Sequence, residues 1–188
     1  MLPKGTAFNR RFSAEANLKL LHLHKLILMI VLKSGDVLSN REISRIFDVC
    51  VQRGIRYNGS LQKAIKHVVL ITVLHKTTEE SLRNPYNDRL EDDILFYTGE
   101  GRVGNQEMTR GNLALKRQMT EGYPVFVFEK KSPGKYMFLG QYYVLSMHVE
   151  IQPDIKGQRR KVFLYKLKRT FTSVSLNAIE KPVVSKSK

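Results

Sequence analysis

The chain has 188 residues and a mass of 21.7 kDa, with 32 Lys plus Arg against 17 Asp plus Glu, a formal charge of +15. That length suits one domain with appendages, and a hydrophobic share of 42% allows a packed core rather than wholesale disorder. The lone Cys50 excludes an internal disulfide framework and a cysteine-rich zinc module, and the five histidines lack paired ligand spacing, so no metal or cofactor is expected.

Residues 1–12 read as a basic lead-in. Ser13 is placed to cap a helix from Ala14, with Leu18, Leu21 and Leu26 along one side. Where that helix stops is open, because Ile27 to Val31 equally suits a buried strand. The apolar run Leu26–Leu32 is bracketed by Lys25 and Lys33 and is far shorter than the roughly 20 residues that span a bilayer. No small-residue cleavage site follows it, which argues against a signal peptide. A cytoplasmic protein is the default expectation.

Ser34-Gly35-Asp36 is a turn. Ser39 and Glu42 form a capping box that starts a short helix with Ile43, Ile46 and Phe47 as its apolar stripe. Arg53 to Tyr57 reads as a turn or edge segment, and Val68 to Leu74 as a buried strand. Asn84 to Asp88 carries turn chemistry around Pro85. A strand over Ile94–Thr98 runs into Gly99. A helix is predicted over Glu107–Thr120, with Gly122 placed to end it. Strands follow at Pro124–Glu129, Tyr136–Leu145 and Lys161–Leu167, the first two joined as a hairpin through Lys130–Lys135. Residues 171–188 read as a basic tail or linker. Clustered strands with few helices indicate an α+β fold.

The charge is uneven. Residues 1–60 carry 10 basic and 4 acidic residues, residues 61–150 carry 12 and 11, and residues 151–188 carry 10 and 2. Two basic ends thus flank a near-neutral centre. A polyanion, most commonly nucleic acid, is the natural partner, with simple solubility as the alternative.

Gly99-Glu100-Gly101-Arg102-Val103-Gly104 matches G-x-G-x-x-G between a strand and a helix. Glu100 would set a carboxylate against a pyrophosphate, and Gly111 interrupts the helix that should pack on the sheet. A tight turn is the better reading. Asp93 with Glu129-Lys130-Lys131 imitates a nuclease acid followed by E-x-K, but the second element leads straight into the hairpin loop Ser132-Pro133-Gly134. Glu91, Asp92 and Asp93 read as a solvated face. No nuclease motif is found, and binding without catalysis is expected.

Four blocks then carry a resemblance: Tyr97-Thr98-Gly99-Glu100-Gly101, Gln106, Asn112-Leu113-Ala114-Leu115, and Gly122-Tyr123-Pro124-Val125. In order and spacing they resemble the SRA (SET- and RING-associated) domain, and the wider stretch 33–169 is similar to the prokaryotic branch found in modification-dependent HNH restriction endonucleases. The resemblance implies a PUA-like fold: a strongly twisted, barrel-like, mostly antiparallel sheet with flanking helices. Here that domain would span 33–170, after an N-terminal lead-in and helix over 1–32. It also implies recognition of double-stranded DNA in which 5-methyl- or 5-hydroxymethylcytosine is flipped into a pocket.

By the same resemblance, Tyr97 and Tyr86 would stack the base, Asp88 would accept from the cytosine amine, and Thr98 and Gly99 would approach the ring. Glu100 stands where the eukaryotic reader of hemimethylated DNA has a small residue. Asn105, Gln106 and Asn112 would support the pocket loop, Asn105 departing from the family's aspartate. Without the resemblance, Tyr97 would be read as core and Asp88 as a turn-former. Phosphate contacts are expected from Arg53, Arg56, Arg102, Arg159, Arg160, Lys161, Lys166 and Lys168. The chain would be the recognition part of a restriction or defence system, working with a separate or fused HNH nuclease. The rival readings are a PUA-like RNA-binding protein and a nuclease with cryptic carboxylates.

Overall fold

The structure is a computed structural model and describes residues 27–179. The helix expected from Ala14 and the segment after Ile179 lie outside the described residues. Val31–Leu176 forms one compact unit; of a second unit, built from both chain ends, only 27–30 and 177–179 are described. β1 (Ile27–Lys33) pairs with β10 (Ser173–Ile179) in a two-stranded sheet. Ile27–Val31 is therefore a strand, and so is a stretch read from the sequence as tail.

The main sheet holds β2 (Val37–Leu38), β3 (Ile55–Gly59), β4 (Ile65–Thr72), β5 (Arg89–Glu91), β6 (Ile94–Thr98), β7 (Val125–Ser132), β8 (Lys135–Pro153) and β9 (Arg159–Phe171). Its order is β3-β4-β7-β8-β9-β6-β5, with β2 against β8. Only β4 and β7 run parallel; every other pair is antiparallel. The described helices are α1 (Asn40–Phe47), α2 (Thr78–Arg83) and α3 (Arg110–Glu121). The fold is α+β, as the sequence indicates. None of these helices is long and apolar enough to cross a membrane.

Local chemistry sets the boundaries. The Ser39 hydroxyl accepts from the Glu42 amide at 3.2 Å, and the Glu42 carboxylate accepts from the Ser39 amide at 2.7 Å. Thr77 and Glu80 make the same reciprocal pair at the start of α2, a helix that the sequence reading passed over. Gly122 ends α3 with φ +69°, a left-handed cap that glycine adopts without a Cβ clash.

β4 and β7 sit inside the sheet, so both of their faces are buried. This is why they read as continuous apolar runs without alternation. On one face Val68, Leu70, Val125 and Val127 pack with Ala114 and Leu115 of α3 and with Tyr142 and Tyr165. On the other, Phe47 of α1 meets Phe126 and Phe128 with ring centroids 4.8 and 5.7 Å away. His67 joins this second cluster, its Nε2 2.7 Å from the Phe47 carbonyl. Burial lowers its pKa, so the neutral ring donates to that oxygen.

The sheet curls without closing. β3 and β5 remain ladder edges, but side chains cross between the two ends. Tyr97 of β6 donates its hydroxyl to the Ile71 carbonyl of β4 at 3.4 Å. Thr72 donates to Asp88 at 2.7 Å, and the Ile55 amide of β3 donates to Glu100 at 3.2 Å. The expected barrel is thus completed by a seam of side chains rather than by backbone pairing.

Phe47 links α1 to the aromatic face, so Phe47→Ala should destabilise the domain by about 3–5 kcal/mol. Ser39→Ala removes only a cap and should cost about 1 kcal/mol. Urea unfolding of both variants checks the ranking.

Candidate functional site

A cavity of 310 Å³ opens at the seam. That lies at the lower end of the roughly 300–1,000 Å³ typical of small-molecule pockets. Tyr86, Asp88, Tyr97, Thr98, Gly99 and Glu100, all assigned to a pocket from the sequence, line this one cavity. Val51, Arg53, Gly54, Arg56, Ile71, Val73, Asn84 and Tyr136 complete it.

Asp88 sits just before β5. One carboxylate oxygen accepts from the Thr98 amide at 2.9 Å and the other from the Thr72 hydroxyl at 2.7 Å. The Thr98 hydroxyl is a third donor to the carboxylate, which leaves about one of its roughly four acceptor positions for a further donor. Burial pushes the Asp88 carboxyl up to about 6, with the bonds from Thr98 and Thr72 and the charge of Lys76 acting against that rise. Lys76 donates to the carbonyls of Asn84 and Tyr86 and so pins the turn that carries Tyr86.

The two tyrosines differ. Tyr97 is only 4% exposed and belongs to the α3-side core, with its hydroxyl against Ile71 and Gly54. Tyr86 is half-buried, and its hydroxyl accepts from the Gly101 amide at 3.3 Å. Glu100 faces the cavity but is already engaged. Besides the Ile55 amide it reaches Gly111 in the first turn of α3, whose N-cap Thr109 makes no side-chain bond. Burial raises its pKa.

Three side-chain amides hold the glycine loop. Gln106 donates to the Gly99 carbonyl at 2.5 Å and accepts from the Phe163 amide at 2.8 Å. Asn112 accepts from the Glu100 amide at 2.7 Å and donates to the carbonyls of Glu100 and Glu107 at 2.9 and 2.8 Å. Asn105 accepts from the Lys161 amide at 2.8 Å. Gly99 leaves no room for a side chain, since a Cβ would stand 2.6 Å from the Asn112 oxygen and 2.8 Å from that of Gln106. The loop runs on past Gly104 to a helix that begins only at Arg110, so its glycines do not open the helix as a dinucleotide loop requires.

The family described as "ScoMcrA-like, SRA domain" matches residues 48–178. The chain belongs to this SRA family. Among solved structures it is similar to the SRA domain of SUVH5 in complex with methylated CHH DNA, at 27% identity and TM-score 0.56, over 74% of this chain and 89% of that one. It is also similar to the sulfur binding and SRA domains of ScoMcrA complexed with phosphorothioated DNA, at 17% identity and TM-score 0.55, over 72% of this chain and 39% of that one. The Type IV phosphorothioation-dependent restriction endonuclease ScoMcrA matches at 16% identity and TM-score 0.55, over 74% of this chain and 25% of that one. The two ScoMcrA likenesses show the fold. No curated protein matches the chain.

The basic residues of the SRA domain do not share one face. Period-two alternation along β9 puts Arg159 and Lys161, both exposed, on one face and Lys166 and Lys168 on the other. Arg102 is exposed and donates to the Arg83 carbonyl at 2.6 Å, and Arg53 is exposed at the cavity. Two assignments need correction. Arg56 and Arg160 are 3% and 2% exposed, and neither reaches the surface to meet a phosphate. Arg160 alternates inward on β9 and donates to the carbonyls of Gly101 and Gly104, bracing the glycine loop. Arg56 turns into the cavity wall. A count of basic residues cannot tell which face each occupies.

The carboxylates that imitated a nuclease are engaged separately, Asp93 with Arg169 and the buried Glu129 with Lys131 at 3.0 Å. Among the described residues no group of three His, Cys, Asp or Glu side chains is arranged to hold a metal. The sequence reading missed Asp154. It is 5% exposed and binds the amides of Lys156, Gln158 and Gly104 at 2.8, 3.0 and 3.2 Å, joining the β8–β9 turn to the glycine loop. Its position before Lys156-Gly157 was the available signal.

Tyr97→Ala should lower stability by about 3–5 kcal/mol, as for other large buried aromatics. Tyr86→Ala, at a half-buried position, should cost clearly less. Thermal melting of the two variants checks this, and equal losses would contradict it.

Proposed function

We propose that this SRA domain binds double-stranded DNA and takes a modified cytosine, flipped out of the duplex, into the seam cavity. The observation that carries the reading is Asp88: a carboxylate at a cavity wall, oriented by Thr98 and Thr72, with acceptor capacity to spare. An exocyclic amine is the donor that cytosine presents and thymine lacks. Tyr86 supplies a half-exposed aromatic face beside it, and Tyr97 a buried one. The likeness at 27% identity to a domain in complex with methylated DNA supports the same reading.

Arg53, Arg102, Arg159, Lys161, Lys166 and Lys168 are the candidates for phosphate contacts. Because Lys166 and Lys168 face away from Arg159 and Lys161, only one of these pairs would approach a given strand. The domain serves as the recognition part of a modification-dependent restriction or defence system, in the cytoplasm, with an HNH nuclease separate or fused. The match to the ScoMcrA-like SRA family supports that setting. In this reading the domain is not itself an enzyme.

Duplexes identical except for one cytosine, plain or modified, test the proposal by fluorescence anisotropy. A 2-aminopurine beside that cytosine should brighten as its neighbour unstacks. A matched RNA should compete poorly. Asp88→Asn should lose about 1–3 kcal/mol of discrimination for cytosine while keeping nonspecific affinity. Equal binding of all duplexes with a dark probe would overturn the reading.

The pH dependence follows from the raised Asp88 pKa. Ionisation at this buried site costs stability, so the contribution of Asp88 is full below about pH 4 and is lost as pH rises through about 6. Asp88→Asn should therefore gain stability relative to the parent over that window. Binding should move the opposite way, because the amine needs the ionised form. Cytosine affinity of the parent should rise as pH passes upward through about 6, and the Asn variant should show no such step.

A further inference from the structure

Arg56 is the feature that the proposed function leaves unused. It is 3% exposed, and burial lowers its pKa. Its Nε donates to the Arg53 carbonyl at 2.9 Å and its Nη1 to the Asn40 side-chain oxygen at 2.7 Å. Both partners are neutral, and among the described residues no carboxylate pairs with it. Among the described residues Nη2 makes no hydrogen bond. Arg56 is one of the residues that line the cavity.

A buried cation without a counter-charge is costly, and the cost is relieved when an anion or strong acceptor arrives. A backbone phosphate would have to enter the cavity to reach Arg56. Arg53, exposed beside it, suits that partner better. What reaches Arg56 must be carried by the base. A methyl group against this wall would leave the guanidinium N–H groups unmet. The carboxylates that share the cavity do not meet this demand: among the described residues neither Asp88 nor Glu100 forms an ion pair with Arg56, and the charges that act on it come from Cys50, Tyr136 and Tyr97.

We infer that Arg56 is a specificity-determining residue that reads an acceptor on the 5-substituent of the flipped cytosine, so that the site ranks a carboxyl above a hydroxymethyl and a hydroxymethyl above a methyl group. Asp88 and Arg56 would then divide the base between them, the first taking the amine and the second the oxidised substituent. The inference rests on the base-flipping reading of the cavity.

The test uses the full chain and four duplexes identical except for one cytosine: unmodified, 5-methyl, 5-hydroxymethyl and 5-carboxyl. Affinities are measured at pH 7.5 for the parent, Arg56→Gln and Arg56→Lys, with melting temperatures alongside. The parent should bind the carboxyl duplex about tenfold or more tightly than the methyl duplex, the size of one charge-assisted hydrogen bond. Arg56→Gln should bring that ratio close to one while leaving the methyl-to-unmodified ratio in place. Arg56→Lys, which keeps the charge and loses the fork, should fall between them.

A parent that binds the carboxyl duplex no better than the methyl duplex overturns the inference. So does an Arg56→Gln variant that weakens all four duplexes equally, because Arg56 would then serve the ring acceptors or the scaffold. If neither variant folds, the parent's ranking alone decides. Failure of the base-flipping reading looks different, since no modified duplex would then outbind the unmodified one and a neighbouring 2-aminopurine would stay dark.

Discussion

The seam between the two ends of the sheet is the constraint on which the site depends. Adjacent strands lie about 4.8 Å apart, and a closed ladder would leave no space between β3–β4 and β6–β5. Here the gap is crossed by longer groups instead: the Asp88 carboxylate to Thr72, the Tyr97 hydroxyl to Ile71, and the Glu100 carboxylate to Ile55. The cavity is the space these bridges leave. The groups that hold the curled sheet together are therefore the groups that face any ligand, and stability and recognition share the same atoms.

That sharing explains the electrostatics. A backbone seam would be neutral, whereas a side-chain seam buries carboxylates, and burial raises the pKa of both Asp88 and Glu100. Backbone amides offset part of the cost at each, Thr98 at Asp88 and Ile55 at Glu100. Side-chain amides do the neutral work nearby. Gln106 and Asn112 each donate and accept, so one residue satisfies both a carbonyl and an amide of neighbouring backbone. Arg160 and Asp154 finish the loop from the β8–β9 hairpin, which couples the longest ladder of the sheet to the cavity's glycine wall.

The positive charge of the chain is distributed by the same geometry. Arg56 and Arg160 are taken inside, where Arg56 donates to the Arg53 carbonyl and the Asn40 side chain and Arg160 to the carbonyls of Gly101 and Gly104. The remaining cations on β9 divide between its two faces. A formal charge of +15 therefore does not describe one basic surface.

By itself the sequence determined those features that depend on near neighbours. The Ser39–Glu42 cap, the left-handed end of α3 at Gly122, the Pro133-Gly134 hairpin and the buried runs of β4 and β7 all follow from residues within a few positions of one another. The four spaced blocks marked the family. Shorter signals were lost: α2 is six residues long, β5 three, and β10 lacks a clear pattern, so their form depends on pairing partners. Only the tertiary structure decided what each charged residue does. Asp88 and Thr72 are 16 positions apart, Arg56 and Asn40 also 16, and Arg160 and Gly101 59. Sheet curvature brings those groups together, and curvature is set by the whole ladder order, which no local spacing encodes.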